Sequence, residues 1–393
     1  MKIIIDAVGI RGHGGAAVLC ELLHWLPRVR PEWLWHVFMF QRHLREFDDT
    51  PVANSVTIEQ TQRGDGGLGR LQWVNRELQN RIRLLDADVL FSFANIGSAS
   101  PSIPQVVFVQ QRNAFFDGQT PGNSIVTRFR LLFMRHQIMR GALASRAVVV
   151  QTDAMRSVIQ NIEPDLKGRI HVIPSGYRTA HANPQIRPEK KGLVDNASRP
   201  RLIYVTHPSE HKNHVNLVKA LPGIIRAFPD ASMLLTLEKD VPPDPRYEAF
   251  VRKIIDTAVS LKVSDRIIWT GILSADEVHY ALSNSDLMVF PSLSESFGLG
   301  LVEAMAAGCP VAASDLGYAH DVMNGAGNYF DANNPDNISD VVISALSDTN
   351  QLISSQREAA SMMKKYSYEH IAERIAGLFN LVREDINYGR LSG

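Results

Sequence analysis

The sequence predicts an α/β protein made of two doubly wound parallel-sheet domains, and three observations carry that expectation. Short apolar runs bounded by turn residues alternate with longer amphipathic segments, as in β-α units. The alternation completes one cycle, stops in a stretch without periodicity, and starts again. At 393 residues the chain exceeds what one hydrophobic core usually supports, and with 45% hydrophobic and 21% charged residues it can bury two.

In the first cycle the expected strands are Lys2–Val8, Trp35–Phe40, Val89–Phe93, Val106–Gln110 and Ala147–Gln151, each a short apolar or β-branched run. Helical periodicity marks Ala16–Leu26, Gly69–Leu84, Phe129–Leu143 and Met155–Ile162. Ser175–Pro200 is rich in Pro, Gly, Asn and Lys and reads as an interdomain linker. The second cycle has strands at Arg201–Thr206, Ser232–Glu238, Ile267–Thr270, Leu287–Phe290 and Val311–Ala313. Its helices fall at Val215–Phe228, Tyr247–Leu261, Ala275–Ser283, Leu299–Ala307 and Ile338–Ser347. The expected domains are 1–180 and 181–370, followed by a terminal helical segment, 371–393.

Formal net charge is zero, yet residues 1–180 carry 21 Lys and Arg against 15 Asp and Glu, and residues 181–393 carry 20 against 26. A basic first half suits an acidic acceptor or an anionic membrane surface, although such an imbalance is also ordinary for a soluble domain. No nucleic-acid partner is expected. Cys20 and Cys309 stand far apart in apolar helical contexts and read as small core residues. The apolar start, Lys2–Val8, is too short for a signal peptide and no run of 18 apolar residues follows, so a cytoplasmic protein is expected.

The chemistry concentrates after the strand Leu287–Phe290. Pro291, Ser292 and Ser294 break that strand, and good helix formers then run from Leu299 to Gly308, a natural C-terminal stop. Glu295 and Glu303 flank the start of this helix. The turn at Phe297-Gly298-Leu299 exposes backbone N–H groups that attract anions, while a carboxylate on each side can grip hydroxyls of a polyol. Those are the needs of a nucleotide-sugar site. Lys212, in the loop Thr206–Asn213 after another strand, can neutralise a diphosphate.

The segment Glu295–Glu303 with its Phe-Gly, Glu-Ala and Gly-Cys-Pro-Val flanks resembles the E-x7-E signature of retaining glycosyltransferases, in particular glycosyltransferase family 4. The order of the other motifs is similar to that family over nearly the whole chain. These are the Gly loop Gly9–Gly15, Val172-Ile-Pro-Ser-Gly176, the lysine loop and the Glu pair. The resemblance implies the GT-B fold, two Rossmann-like domains facing across a cleft. The terminal helix, Tyr368–Val382, would cross back onto the N-terminal domain. It implies a retaining, metal-independent transfer of a hexose or related sugar from a nucleoside-diphosphate sugar to a hydroxyl of a saccharide or lipid-linked acceptor. Cell-surface polysaccharide or glycolipid assembly would be the setting. Glu295 would then hold the donor sugar, Glu303 the ribose, and Lys212 with Gly298 the diphosphate, with Phe297 and Leu299 also binding the donor. Backbone at Gly271 and Ile272 would read the base. Gly14 and Gly15 would touch phosphate or acceptor. No metal and no cofactor are expected.

Two departures from the family bear on mechanism. His207 stands where an arginine is usual, and histidine need not be charged near neutral pH. Gln110 or Gln111 stands where a histidine is usual, and glutamine can hydrogen-bond a sugar but cannot act as a base.

Other motifs have blander readings. Gly12–Ala17 loosely satisfies a dinucleotide pattern, but Gln41-Arg42-His43 follows the second strand where that pattern wants an acid. Asp86-Ala-Asp88 resembles a DxD metal motif but sits where Asp commonly ends a helix-to-strand turn. The thirteen histidines show no metal-ligand spacing. Arg128–Arg140 is a helix of basic and apolar residues without an acid. It reads either as a domain helix whose arginines face solvent or as a membrane-surface helix. A nucleotide-sugar epimerase of the same architecture and a non-catalytic sugar-nucleotide-binding subunit remain as alternatives to the transferase.

Overall fold

The computed structural model describes residues 1–10, 13–40, 53–62, 64, 66–115, 125–178, 184–239 and 245–391. The chain separates into two units, Met1–Gly176 with Lys365–Gly393, and Tyr177–Lys364.

The first unit contains β1 (Lys2–Asp6), α1 (His13–Val29), β2 (Leu34–Phe40), β3 (Val56–Thr61), α2 (Gly66–Gln72), α3 (Leu78–Leu85) and β4 (Val89–Ser92). It continues through β5 (Gln105–Phe108), α4 (Ile125–Leu143), β6 (Ala147–Val150), α5 (Asp153–Ile162) and β7 (Ile170–Val172). The seven strands lie in the order β3-β2-β1-β4-β5-β6-β7, and every pairing is parallel. Ile3, Ile4, Ile5, Val148, Val149 and Val150 are fully buried, as in a sheet covered on both faces.

The second unit contains α6 (Pro188–Asp195), β8 (Arg201–Tyr204), α7 (His214–Ala227), β9 (Ser232–Leu235), α8 (Pro245–Ser260), β10 (Ile267–Trp269), α9 (Ala275–Ser283) and β11 (Leu287–Phe290). It closes with α10 (Leu299–Ala306), β12 (Val311–Ser314), α11 (Gly317–Met323), β13 (Asn328–Phe330), α12 (Pro335–Ser347) and α13 (Thr349–Met362). Six parallel strands run in the order β10-β9-β8-β11-β12-β13. Local sequence sets several starts. Ser274 and Glu277 form a reciprocal capping box on α9, the Asn334 carboxamide accepts from two N–H groups of α12, and Pro188 opens α6.

The final helix, α14 (Tyr368–Leu391), belongs to the first unit, where Phe379 packs against Phe91 with ring centroids 5.2 Å apart. Gly176 makes the return possible, since a Cβ there would lie 2.7 Å from both the Tyr366 carbonyl and the Tyr368 ring.

The structure corrects four expectations. Ser175–Pro200 is not a bare linker, because it holds α6, which buries Val194 and anchors Arg187 on Glu277 at 2.7 Å. Strands β3, β7 and β13 escaped the pattern because they are short or, at the sheet edge in β3, half polar. Helices α11 and α13 were also missed. Gly14 and Gly15 lie inside α1, which begins at His13, rather than in a loop. Cys20 and Cys309 are free and buried in the core. Asp88 receives the Lys2 N–H at 2.7 Å and pairs with Arg383 at 3.3 Å.

Candidate active site

Each sheet reverses its strand order once, between β1 and β4 in the first unit and between β8 and β11 in the second. Parallel sheets leave a crevice beyond the carboxyl ends of the strands at such a point, because the flanking loops diverge to opposite faces. In the second unit those two loops are Val205–Asn213 and Pro291–Gly298, which carry Lys212 and Glu295.

The two loops are fastened together by groups buried beneath them. Tyr204, the last residue of β8, donates its hydroxyl to the Lys212 carbonyl at 3.0 Å and lies 2.9 Å from Ser292 Oγ. Tyr318 on α11 donates to the Ser292 carbonyl at 2.9 Å, and the Leu293 N–H donates to the His211 carbonyl at 2.8 Å. Burial pushes the Tyr204 phenol far up, so it remains a donor throughout the physiological range.

On this frame Lys212 Nζ meets Glu295 Oε1 at 2.5 Å, both side chains largely buried, and the ammonium also stands 5.9 Å from the Phe290 ring centroid. Gly298 then starts α10 with φ of 92°, a conformation that favours glycine. No side chain caps this helix start, and Phe297 beside it is buried, which leaves the α10 N-terminus beside Glu295 suited to an anion. Glu303, further along α10, has its carboxyl pushed up by burial, with Arg178 opposing. Burial, assisted by Lys212, lowers the neighbouring His211, and Glu295 opposes. His207 is exposed at the start of the same loop.

Gly271 has φ of 68°, and a Cβ there would sit 2.5 Å from Glu238 Oε1 and 2.9 Å from Lys190 Nζ. The next N–H, of Ile272, already donates to Glu238 Oε1 at 3.0 Å, and its carbonyl accepts from Arg187 Nη2 at 3.0 Å. A base edge read at Ile272 would therefore compete with Glu238 and Arg187. Arg187 in turn clamps Glu277 and, by that hydrogen bond first, holds its carboxyl down to about 2.

In the first unit the Gln110 side-chain amide donates to the Phe93 carbonyl at 3.0 Å, and its backbone N–H donates to Asn95 Oδ1 at 2.6 Å. Gln110 thus ties the ends of β4 and β5 together, while Gln111 follows in extended conformation. Below Gly9 lies a buried network that sequence reasoning missed. The Asp6 carboxylate receives Arg70 Nη1 at 3.0 Å, Nη2 at 2.6 Å and Trp73 Nε1 at 3.0 Å. A Cβ at Gly9 would lie 3.2 Å from Arg70 Nε.

The structure brings Lys212, Glu295 and the Gly298 helix start together. Tyr204, Ser292, Tyr318 and Glu238 were missed, since a strand Tyr and a loop Ser carry no spacing signature. Among the described residues no group of three His, Cys, Asp or Glu could hold a metal ion, and no helix is long and apolar enough to cross a membrane.

Residues 185–370 match the family described as glycosyl transferases group 1. This group 1 region contains Lys212, Gly271, Ile272, Glu295, Gly298 and Glu303. The chain is 26% identical over 253 residues to D-inositol 3-phosphate glycosyltransferase of Rhodococcus jostii, covering 63% of this chain and 55% of that protein. It is 25% identical over 221 residues to a GDP-mannose-dependent monoacylated α-(1-6)-phosphatidylinositol monomannoside mannosyltransferase of Corynebacterium glutamicum, covering 52% and 55%. The chain thus spans about half the length of these relatives. Among solved structures, sucrose-phosphate synthase from Thermosynechococcus elongatus superposes with a TM-score of 0.74 at 16% identity, covering 97% of this chain and 99% of that one. The fold is GT-B.

Proposed function

We propose that the protein is a retaining, metal-independent glycosyltransferase that moves a hexose or related sugar from a nucleoside-diphosphate sugar to a hydroxyl of a saccharide or lipid-linked acceptor. The observation that carries the reading is the Lys212–Glu295 pair, held at 2.5 Å beside an uncapped helix start at the switch point of the second sheet. The match of residues 185–370 to group 1 glycosyltransferases supports it, as do the activities named for the relatives.

In this reading the diphosphate lies against the α10 N-terminus and Lys212. Once the diphosphate draws the Lys212 ammonium away from Glu295, that ammonium and the helix end together supply the positive charge, so leaving-group stabilisation needs no cation. Glu295 accepts hydroxyls of the donor sugar, and Glu303 accepts the ribose hydroxyls. The base lies at Gly271 and Ile272 once Glu238 swings aside. His207 adds a donor at the phosphate edge when protonated. Gln110 and Gln111 contact acceptor or sugar, and Gly14 and Gly15 contact phosphate or acceptor.

The acceptor oxygen bonds to the anomeric carbon as the bond from that carbon to the diphosphate breaks. The acceptor proton passes to the departing phosphate oxygen on the same face, which retains configuration and asks no protein group to act as base. A cytoplasmic setting, where nucleotide sugars occur, and cell-surface glycan assembly follow from the reading.

The test is thermal stabilisation by UDP-, GDP-, ADP- and dTDP-sugars with and without EDTA, followed by product analysis with the best donor. A glycoside of unchanged anomeric configuration, formed in EDTA, is expected. Lys212→Ala is expected to lower turnover by about 10²–10³-fold, the usual loss of one preorganised electrostatic group. Unchanged turnover in that variant, an epimerised donor, or inversion would sink the assignment.

A further inference from the structure

Helix α4 is apolar on two opposite sides. Its inner side carries Ile138, Met139 and Ala142, which are buried in the core with Val107, Val148 and Val150, and Met134 packs against the same cluster. A surface helix of a globular domain needs only that one stripe. Yet Ile125, Val126, Phe129, Leu132 and Phe133 are exposed, from 46% at Phe133 to 74% at Val126. At about 100° per residue these five fall within one sector about 120° wide, roughly opposite Met134 and Ile138. Leu68 on α2 is 81% exposed, and a Cβ added at its neighbour Gly67 would lie 3.7 Å from the Phe133 ring, so the apolar surface continues onto a second helix.

Charge decides what covers this face. Residues 125–143 contain Arg128, Arg130, Arg135 and Arg140 and no acidic residue. Arg128, Arg130 and Arg140 are exposed. On the same projection Arg128 and Arg130 border the apolar sector on its two sides, and the exposed His136 and Arg140 lie in line with it beyond Phe133, ending the apolar strip at its C-terminal end. An apolar strip framed by guanidinium groups matches the boundary between acyl chains and anionic headgroups. Phenylalanine and leucine enter the acyl region there while arginines reach phosphate. A second protein chain would need carboxylates at each border, which this helix does not itself offer to a symmetric copy.

We propose that the outer face of α4 is a docking surface for an anionic lipid bilayer. It lies in the first unit and does not depend on the assignment of Lys212 and Glu295. The docked chain lies on the surface rather than across it, with α4 parallel to the membrane plane.

The test is flotation of the full chain with vesicles of phosphatidylcholine alone or with about 30 mol% phosphatidylglycerol, the anionic lipid supplying the negative surface potential. Partition onto the anionic vesicles is expected, weakening in about 0.5 M salt as the surface charge is screened. Phe129→Glu with Phe133→Glu is expected to lower partition by tenfold or more. Arg128→Ala and Arg130→Ala should each lower it about fivefold, the loss of one basic residue near a charged surface. Both sets are surface changes, and an unaltered thermal midpoint checks that each variant is folded. Absence of wild-type partition, equal partition of the Phe variant, or equal binding to neutral vesicles would overturn the proposal. So would a wild-type dimer that the Phe variant converts to monomer, since a second copy would then cover the face.

Discussion

Replacing His214 by leucine is expected to make the second unit less sensitive to acid. His214 opens α7 fully buried, with the Tyr204 and Phe250 rings at centroid distances of 4.9 Å and 5.4 Å and no hydrogen-bond partner for either ring nitrogen. Burial, assisted by Lys212 and His211, pushes its pKa down to about 3 from 6.5. The unfolded chain therefore takes up a proton as pH falls below 6.5, whereas the folded chain does not until near pH 3. Stability from this group is complete above 6.5 and declines across that window by about 1.4 kcal/mol per pH unit. At about pH 5 the wild type should have lost about 2 kcal/mol that His214→Leu retains. At neutral pH the leucine also removes two unsatisfied buried nitrogens, worth about 1–3 kcal/mol. Urea unfolding between about pH 8 and pH 5, read in peptides of β8 and α7 by pulsed hydrogen exchange, isolates the second unit. Parallel pH dependences for the two proteins, or an imidazole resonance that titrates near its ordinary value, would refute the reasoning.

Two further substitutions test the frames under the switch points. Arg70→Met leaves the buried Asp6 carboxylate without its cation, held only by the neutral donors Trp73 Nε1 and the Val8 N–H, and a loss of about 3–5 kcal/mol is expected in thermal or urea unfolding of the first unit. Tyr204→Phe removes the hydroxyl that bridges the Lys212 carbonyl and Ser292. It should cost about 1–3 kcal/mol of stability and weaken nucleotide-sugar binding in calorimetry, while Lys212 itself remains.

The parallel-sheet core was legible because burial on both faces demands continuous apolar runs. Ile3–Ile5, Val148–Val150 and Leu287–Phe290 could be read directly. The turn at Gly298 was legible for a related reason, since a helix of good formers begins abruptly after Pro291. Edge strands were not legible. β3 alternates polar residues, and β13 is three residues long, so each is fixed by pairing with a neighbour rather than by its own pattern. Helix α6 was hidden because Pro, Gly and Asn around it suggest a loop. Its stability comes from Val194 and from Arg187 on Glu277, a partner ninety residues away.

The sequence by itself determined the fold class and placed Lys212, Glu295 and Gly298 at turns after strands and Glu303 on the helix that follows, because strand and helix periods and turn residues are local properties. Only the tertiary structure decided that Lys212 and Glu295 meet, that Tyr204 and Tyr318 fasten their loops, and that Glu238 occupies the Ile272 N–H. Only it showed that Asp6 is neutralised by Arg70 and that one face of α4 is left uncovered. Those facts depend on which segments are neighbours across a sheet. That adjacency is set by the strand order of the whole unit and leaves no local mark on the chain.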